Sequence, residues 1–367
     1  MADSSKTPES PLLQLGWDDE WQNLYNAAHG ESPELIPARI SMETKLNYAV
    51  WTSDAELPAK VSGKLLHDTK RNPLLRPKAG DWVAVSLIED GDRAQIRHLL
   101  DRRTQLTRKV AGRRNEAQLV AANVNTVFVM QGLDDNFNLR RLERCLVMVY
   151  EGGAQPVVLL NKADLCDDIK SRETLAATAA GHAPIVSVSA QTGTGLEKLT
   201  PYVRAGQTIA FIGSSGVGKS TLINRLYGEE ILATNEVRAN DSKGRHTTVR
   251  RELIFLPDGG VVIDTPGMRE FHLWFADDGL DAAFSDIDAI AGNCRFADCM
   301  HTNEPECAVR DAIESGLLTK ERLENYVRLQ KDIQKLHKSY ERRMWKDKAA
   351  GSFTATRAPR LFKRGGR

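Results

Sequence analysis

The run Gly213-Ser214-Ser215-Gly216-Val217-Gly218-Lys219-Ser220 has the glycine spacing of a loop that wraps phosphate groups. Its glycines let successive backbone N–H groups turn inward, and a helix starting after the loop adds the positive end of its dipole. Lys219 is placed to bridge β- and γ-phosphate oxygens, and the Ser220 hydroxyl to ligate Mg²⁺. Thr221 opens the expected helix and completes the phosphate-binding set. A second run, Asn161-Lys162-Ala163-Asp164, ends in a carboxylate that can accept two hydrogen bonds from guanine N1–H and the 2-amino group. Adenine lacks that donor pair and would leave the carboxylate unpaired. Lys162 can pack along the base plane, and Ser189-Ala190 can support the guanine carbonyl through a backbone N–H. A third run, Asp264-Thr265-Pro266-Gly267, offers a carboxylate to hold Mg²⁺ through water and the Gly267 N–H for a γ-phosphate. Together these runs predict a site for GTP with Mg²⁺.

Their order is unusual. The base-reading run normally follows the phosphate loop, whereas here it precedes it. The site therefore reads as one built from a circularly permuted chain.

Between the phosphate loop and Asp264 lies Asn240–Val249, polar and glycine-containing, which reads as a mobile loop. A threonine there is needed to complete the Mg²⁺ shell and to sense the γ-phosphate. Thr248 is the choice and Thr247 the alternative. Met268 stands about where many GTPases carry a water-orienting glutamine, and a thioether cannot orient water by hydrogen bonding. His246 is the internal candidate for that task, so the catalytic set reads as His246, Thr248 and Lys219.

Farther along, Cys294, Cys299, His301 and Cys307 place three thiols and one imidazole within fourteen residues. Four such ligands close a tetrahedral Zn²⁺ site with no open position, which makes a structural ion of it. Cys145 and Cys166 are scattered and read as core or surface thiols.

The elements that must position these residues are readable too. Five short β-like runs, Ala38–Ile40, Tyr48–Trp51, Ala59–Leu66, Trp82–Leu87 and Ala94–Leu99, are split by turn signals and suit a small barrel of oligonucleotide-binding (OB) type. An SH3-like barrel is the alternative. From Ala117 onward, apolar strands (Thr126–Met130, Pro156–Leu160, Ile185–Val188, Thr208–Ile212, Val261–Ile263) alternate with helices such as Leu139–Tyr150 and Thr221–Tyr227. That alternation predicts a mainly parallel sheet covered on both faces. The chain then turns helical and Cys/His-bearing, with Lys320–Lys348 as a charged amphipathic helix. The expected class is multi-domain α/β. Residues 1–35 are read as a mobile arm with one small helix over Trp17–Ala28, 36–112 as the barrel and 113–272 as the permuted nucleotide domain. Residues 273–348 are read as a helical zinc domain and 349–367 as a basic disordered tail.

The chain has 367 residues, 41% hydrophobic, and a net charge of +1. No apolar run reaches the roughly 20 residues of a membrane span, and the N-terminus lacks a basic-then-apolar signal pattern. A cytoplasmic protein with no membrane partner is expected. The charge is unevenly placed, with ten Lys/Arg against two Asp/Glu from Lys338 to Arg367. A second cluster gathers Arg102, Arg103, Arg108, Lys109, Arg113 and Arg114. Either cluster is solvated surface or a contact for a polyanion. Trp51 and Trp82 are candidates to stack on bases, with a core role favoured for Trp82.

The barrel, the Asn161–Asp164 run, Val188-Ser189-Ala190, Gly213–Thr221, Gly244–Thr248, Asp264–Gly267 and the Cys-x4-Cys-x-His-x5-Cys cluster together resemble the RsgA family, also called YjeQ or YloQ. The resemblance runs from about residue 36 to about residue 335. It implies circularly permuted GTPases of late small-subunit (30S) maturation, with an OB barrel, a zinc domain, ribosomal RNA binding and hydrolysis stimulated by the subunit. Met268 and His246 match the family's hydrophobic residue and switch-loop histidine. The expected partners are GTP or GDP and the small subunit with its rRNA, the protein being monomeric off the ribosome. The competing readings are an RNA-holding switch with incidental hydrolysis, and a large-subunit or messenger RNA partner.

His246→Ala should abolish partner-stimulated hydrolysis and spare GTP binding. Unchanged turnover in a phosphate-release assay would remove His246 from the mechanism.

Overall fold

The computed structural model describes residues 11–30, 32–44, 47–109, 117–232, 251–264, 276–297 and 299–349. It opens with two helices, α1 (Pro11–Gln14) and α2 (Asp19–His29). Asp18 caps α2 by accepting the Trp21 N–H. The mobile arm expected here is, over residues 11–30, a docked segment. Trp17 sits edge-on against Trp82 at 4.8 Å, Trp21 lies 6.0 Å from the same ring, and Tyr25 donates to Leu35 O. Burying three aromatic side chains outweighs the entropy of ordering a short segment.

Five strands follow: β1 (Ile36–Glu43), β2 (Tyr48–Trp51), β3 (Glu56–Val61), β4 (Trp82–Ile88) and β5 (Arg93–Leu99), with helix α3 (Gly63–Arg71) after β3. They close in the order β1-β2-β3-β5-β4-β1, antiparallel except for β3 against β5. That is the OB topology. The third strand is shorter than expected. Ser62 accepts the Leu65 N–H and starts α3 there, so Leu65 and Leu66 are helical. The two-residue period of β4 divides its side chains. Val83 and Val85 fill the barrel, while Trp82 and Ala84 face the second core beneath α2. Trp82 is thus 1% exposed and is no stacking platform.

Arg39 of β1 is buried, and its guanidinium donates to Leu15 O, Gly80 O and Asn123 O. One side chain therefore joins the N-terminal helices, the barrel and the next module. Arg102 and Arg103, read as either solvated surface or a polyanion contact, are both paired within the fold. Arg102 grips Asp81 with two nitrogens at 2.7 Å each, and Arg103 holds Asp18 and stacks 4.0 Å over Trp21. Arg113 and Arg114 lie outside the described residues.

Strands β6 (Gln105–Lys109) and β7 (Ala117–Ala122) pair with each other, and Gln105 N–H donates to Gly152 O at the end of α4 (Leu139–Glu151). This pair thus packs against the end of α4 in the nucleotide module. The main sheet holds β8 (Thr126–Gly132), β9 (Gln155–Asn161), β10 (Ile185–Ser187), β11 (Thr208–Ile212), β12 (Arg251–Phe255) and β13 (Val261–Asp264). Its order is β10-β9-β8-β11-β13-β12, parallel except for β12. Helices α4 and α5 (Ile169–Ala180) pack on one face and α6 (Lys219–Tyr227) on the other. The sheet continues into the barrel, because β12 pairs with β1 at Met42↔Glu252 and Glu43↔Arg251. Trp51 packs edge-on against Phe255 at that junction, with ring centroids 5.5 Å apart.

The C-terminal module has α7 (Asp277–Ala283), α8 (Ser285–Ala291), α9 (Ala308–Glu314) and α10 (Lys320–Ala349). It docks on α4. A Cβ on Gly279 would lie 2.2 Å from Val147 O, so only glycine lets the helices approach this closely. Buried Glu143 accepts from Asn325 and Arg328, and Arg322 pairs with Asp286 while lying 3.9 Å over Phe284. Among the described residues no helix is long and apolar enough to cross a membrane.

Glu151, at the end of α4, accepts the Gly279 N–H at 2.8 Å. Burial, helped by Asp278, Asp277 and Asp281, pushes its carboxyl from 4.5 up to about 7. The folded protein thus keeps a proton that the unfolded chain releases near 4.5, and the resulting stability is lost as pH rises toward 7. Glu151→Gln keeps the acceptor without the charge. It should raise the melting temperature at pH 8 and change it little at pH 5, as read by thermal denaturation. An equal shift at both values would remove the buried charge as the cause.

Candidate nucleotide-binding site and metal centre

The three sequence runs meet at the carboxyl edge of the sheet, where open α/β sheets bind ligands. Asn161 ends β9, between β8 and β10. Its Nδ2 donates to Val217 O at 2.8 Å, and its Oδ1 accepts the Ala190 N–H at 2.9 Å. One buried amide thus fastens the base-reading run to both the phosphate loop and the Ser189-Ala190 turn. Gly218 makes room for it. Its φ is +98°, and a Cβ there would come 2.3 Å from Asn161 Nδ2.

Lys162 has a left-handed backbone, φ +67°, and its ammonium meets Asp134 Oδ2 at 2.7 Å. Ala163 and Asp164 form the short turn that follows. Asp164 is exposed, and its Oδ1 accepts the Ser189 hydroxyl. Ser189 in turn accepts the Thr192 N–H at 3.1 Å. The carboxylate is therefore held from behind and open in front, as a reader of paired N–H donors requires. Arg225 of α6 braces the same turn by donating to Ala190 O and Gln191 O.

Gly213, Ser214, Ser215, Gly216, Val217 and Gly218 link β11 to α6, which begins at Lys219 with Ser220 and Thr221 in its first turn. That strand–loop–helix context is the one a phosphate loop needs. The Lys219 ammonium lies within the loop, donating to Gly213 O at 2.6 Å and Ser214 O at 2.8 Å. Parallel pairing of Ala210 with Ile263 carries Asp264 to the same edge. The Asp264 side chain, Gly267, Met268, His246, Thr247 and Thr248 lie outside the described residues.

Sequence reasoning missed Asp134 and Asn136, in the loop after β8. Asp134 pairs with Lys162, and Asn136 Nδ2 donates to Ser214 Oγ at 2.8 Å. A polar run leaving an apolar strand at the ligand-binding edge was the available signal.

The four soft ligands converge as well. The donor atoms of Cys294, Cys299, His301 and Cys307 all lie within 4.8 Å of one another. Cys294 Sγ is 3.9 Å from Cys307 Sγ, and His301 Nδ1 is 3.7 and 3.5 Å from those sulfurs. Tetrahedral bonds of about 2.3 Å to sulfur and 2.0–2.1 Å to nitrogen require edges of roughly 3.8 and 3.6 Å. The cluster therefore fits a metal ion. Burial holds His301 below its ordinary value, which favours the neutral imidazole a metal needs. Glu304 shapes the loop by accepting the N–H groups of Met300, Thr302 and Asn303.

A phosphate loop fastened to a guanine-reading run that precedes it in the chain defines a circularly permuted P-loop GTPase. Comparison with known proteins agrees. The RsgA GTPase family model matches residues 99–274. The small ribosomal subunit biogenesis GTPase RsgA 2 of Lactiplantibacillus plantarum is 46% identical over 298 residues, 81% of this chain and 83% of that protein. The RsgA of Opitutus terrae is 42% identical over 333 residues, 88% and 89% of the two chains. YjeQ from Thermotoga maritima aligns with a TM-score of 0.60 and 26% identity, over 82% of this chain and 99% of that one. YloQ, described as a circularly permuted GTPase, gives 0.59 and 25%, over 84% and 98%. The chain belongs to the RsgA family and is a GTP-hydrolysing enzyme.

Removing the metal should loosen the C-terminal module. Cys307 is 2% exposed in the core shared by α7–α10, so Cys307→Ser should abolish metal retention. It should also lower the melting temperature by several degrees, as should a strong chelator on the unaltered protein. Native mass spectrometry finding the unaltered protein metal-free would sink the site.

Proposed function

We propose that this chain is a GTP hydrolase of late small (30S) ribosomal subunit maturation, which binds rRNA and uses subunit-stimulated hydrolysis to leave the particle. The observation that carries the reading is the placement of the permuted nucleotide site between an OB barrel and a Cys3His helical module. The names of its relatives, small ribosomal subunit biogenesis GTPases, support it.

In this reading Asp164 reads guanine, Asn161 and Ala163 shape its turn and Lys162 packs along the base. The Ser189 and Ala190 N–H groups, expected at the guanine carbonyl, are instead given to Thr194 O and Asn161 Oδ1, so these two residues brace the reader from behind. The backbone of Gly213 to Gly218 cradles phosphate, Lys219 swings from its loop carbonyls onto it, and Thr221 closes the loop. Ser220 and Thr248 would hold Mg²⁺, with Asp264 contributing through water, and the ion would supply charge neutralisation at the phosphates. Gly267 senses the γ-phosphate and His246 orients water. Zn²⁺ fits the Cys294, Cys299, His301 and Cys307 cluster and would act as a structural ion.

Since Arg102 and Arg103 are paired within the fold, the barrel's RNA contacts fall to exposed cations that include Lys60 on β3, Lys64 and Lys70 on α3, and Arg93 and Arg97 on β5. The place of work is the cytoplasm and the protein is monomeric off the ribosome. The fast test is gradient co-sedimentation paired with phosphate release. With a non-hydrolysable GTP analogue the protein should travel with 30S subunits, with GDP it should stay at the top, and 30S should raise turnover. Co-migration with 50S, or turnover indifferent to 30S, would overturn the proposal.

A further inference from the structure

Gly132 ends β8, and a Cβ there would come 2.5 Å from Asp134 Oδ1, so glycine lets that carboxylate fold back toward the site. Its Oδ1 accepts the Asn136 N–H at 3.1 Å, and its Oδ2 takes the Lys162 ammonium at 2.7 Å. The two side chains are 29% and 28% exposed, a half-sheltered pair. Burial works against the Asp134 charge, but Lys162 and the Asn136 N–H outweigh it and hold the carboxyl below its ordinary range. The loop is fixed behind as well. Arg141 donates to Asn136 O and Gln131 Oε1, and Asn138 caps α4 by accepting the Arg141 N–H. In front, the Asn136 amide reaches the Ser214 hydroxyl. One short loop therefore holds a lysine of the base-reading run and a serine of the phosphate loop.

We infer that Asp134 is a positioning residue for nucleotide recognition, setting the methylene stem of Lys162 for the base and, through Asn136, tying that setting to the phosphate loop. The inference rests on the guanine-reading role proposed above for the Asn161–Asp164 run. A lysine stem ordered in advance loses less freedom on binding than a free one. The contact is the same with substrate and in the transition state, so its loss weakens binding and leaves the chemical step alone.

The test is a double-mutant cycle on the full chain, reading the dissociation constants of GDP and a non-hydrolysable GTP analogue by displacement of a fluorescent nucleotide. Asp134→Ala should weaken both about five- to tenfold, the range of one charge-assisted contact. kcat should stay within about twofold. Asp134→Asn, which keeps the acceptor for the Asn136 N–H, should fall between. Lys162→Met should weaken binding, and adding Asp134→Ala to it should weaken it little further. The gap between the unaltered protein and Asp134→Ala should narrow at high salt, which a purely structural loss would not do. Unaltered affinity in Asp134→Ala, or a full additional loss on the Lys162→Met background, overturns the inference while leaving the guanine assignment standing. Unaltered affinity in Lys162→Met likewise overturns the inference, whereas equal displacement of the probe by ADP and GDP would remove the guanine assignment itself.

Discussion

The Asn161 side chain is the constraint on which the nucleotide site depends. A buried primary amide has two donors and two acceptor directions, and leaving them unpaired costs more than a made hydrogen bond returns. Here the amide is paired to Val217 O on one side and to the Ala190 N–H on the other. Neither partner is near it in the chain, and the phosphate loop lies well downstream. The geometry of the bonds makes connectivity irrelevant. Any chain order that brings β9, β10 and β11 to one sheet edge satisfies the same amide. That is why a permuted chain keeps the site, and why Gly218 must lack a side chain.

The permutation changes what is attached to the site. The module's first strand follows the barrel, and its last strand, β13, leads toward the helices on α4. The attachments are tight. Arg39 links the N-terminal helices, the barrel and Asn123, while Glu143 and Glu151 of α4 hold the last module and that module's Arg322 donates to Ala179 O of α5. Buried charges at such joints demand their partners in fixed places, so the joints are specific rather than slippery.

The chemistry was the most legible part of the sequence. Phosphate loop, base reader and metal cluster each need particular residue types at particular spacings, and spacing is visible without a structure. The parallel strands were legible too, because strands buried on both faces are continuous apolar runs. What escaped notice depends on partners distant in sequence. Arg102 and Arg103 look like solvated cations until Asp81 and Asp18 are seen to neutralise them. Trp17, Trp21 and Tyr25 looked like part of a mobile arm because Trp82, which Trp17 and Trp21 meet directly and Tyr25 reaches through Trp17, is far along the chain. Strand β12 is five residues long and mostly polar at its start, a pattern too short to separate from loop.

The pairing of β12 with β1 has a mechanical consequence. Arg251 lies three residues beyond Thr248 and is already in register with Glu43 of the barrel wall. Barrel and nucleotide sheet share a seam of backbone pairs, not merely a linker. A hinge at that place would need the seam unzipped, so the barrel turns with β12 or not at all. The strand that begins three residues after Thr248 is, within two pairs, part of the barrel's edge, so barrel and nucleotide sheet are regions of a single plate.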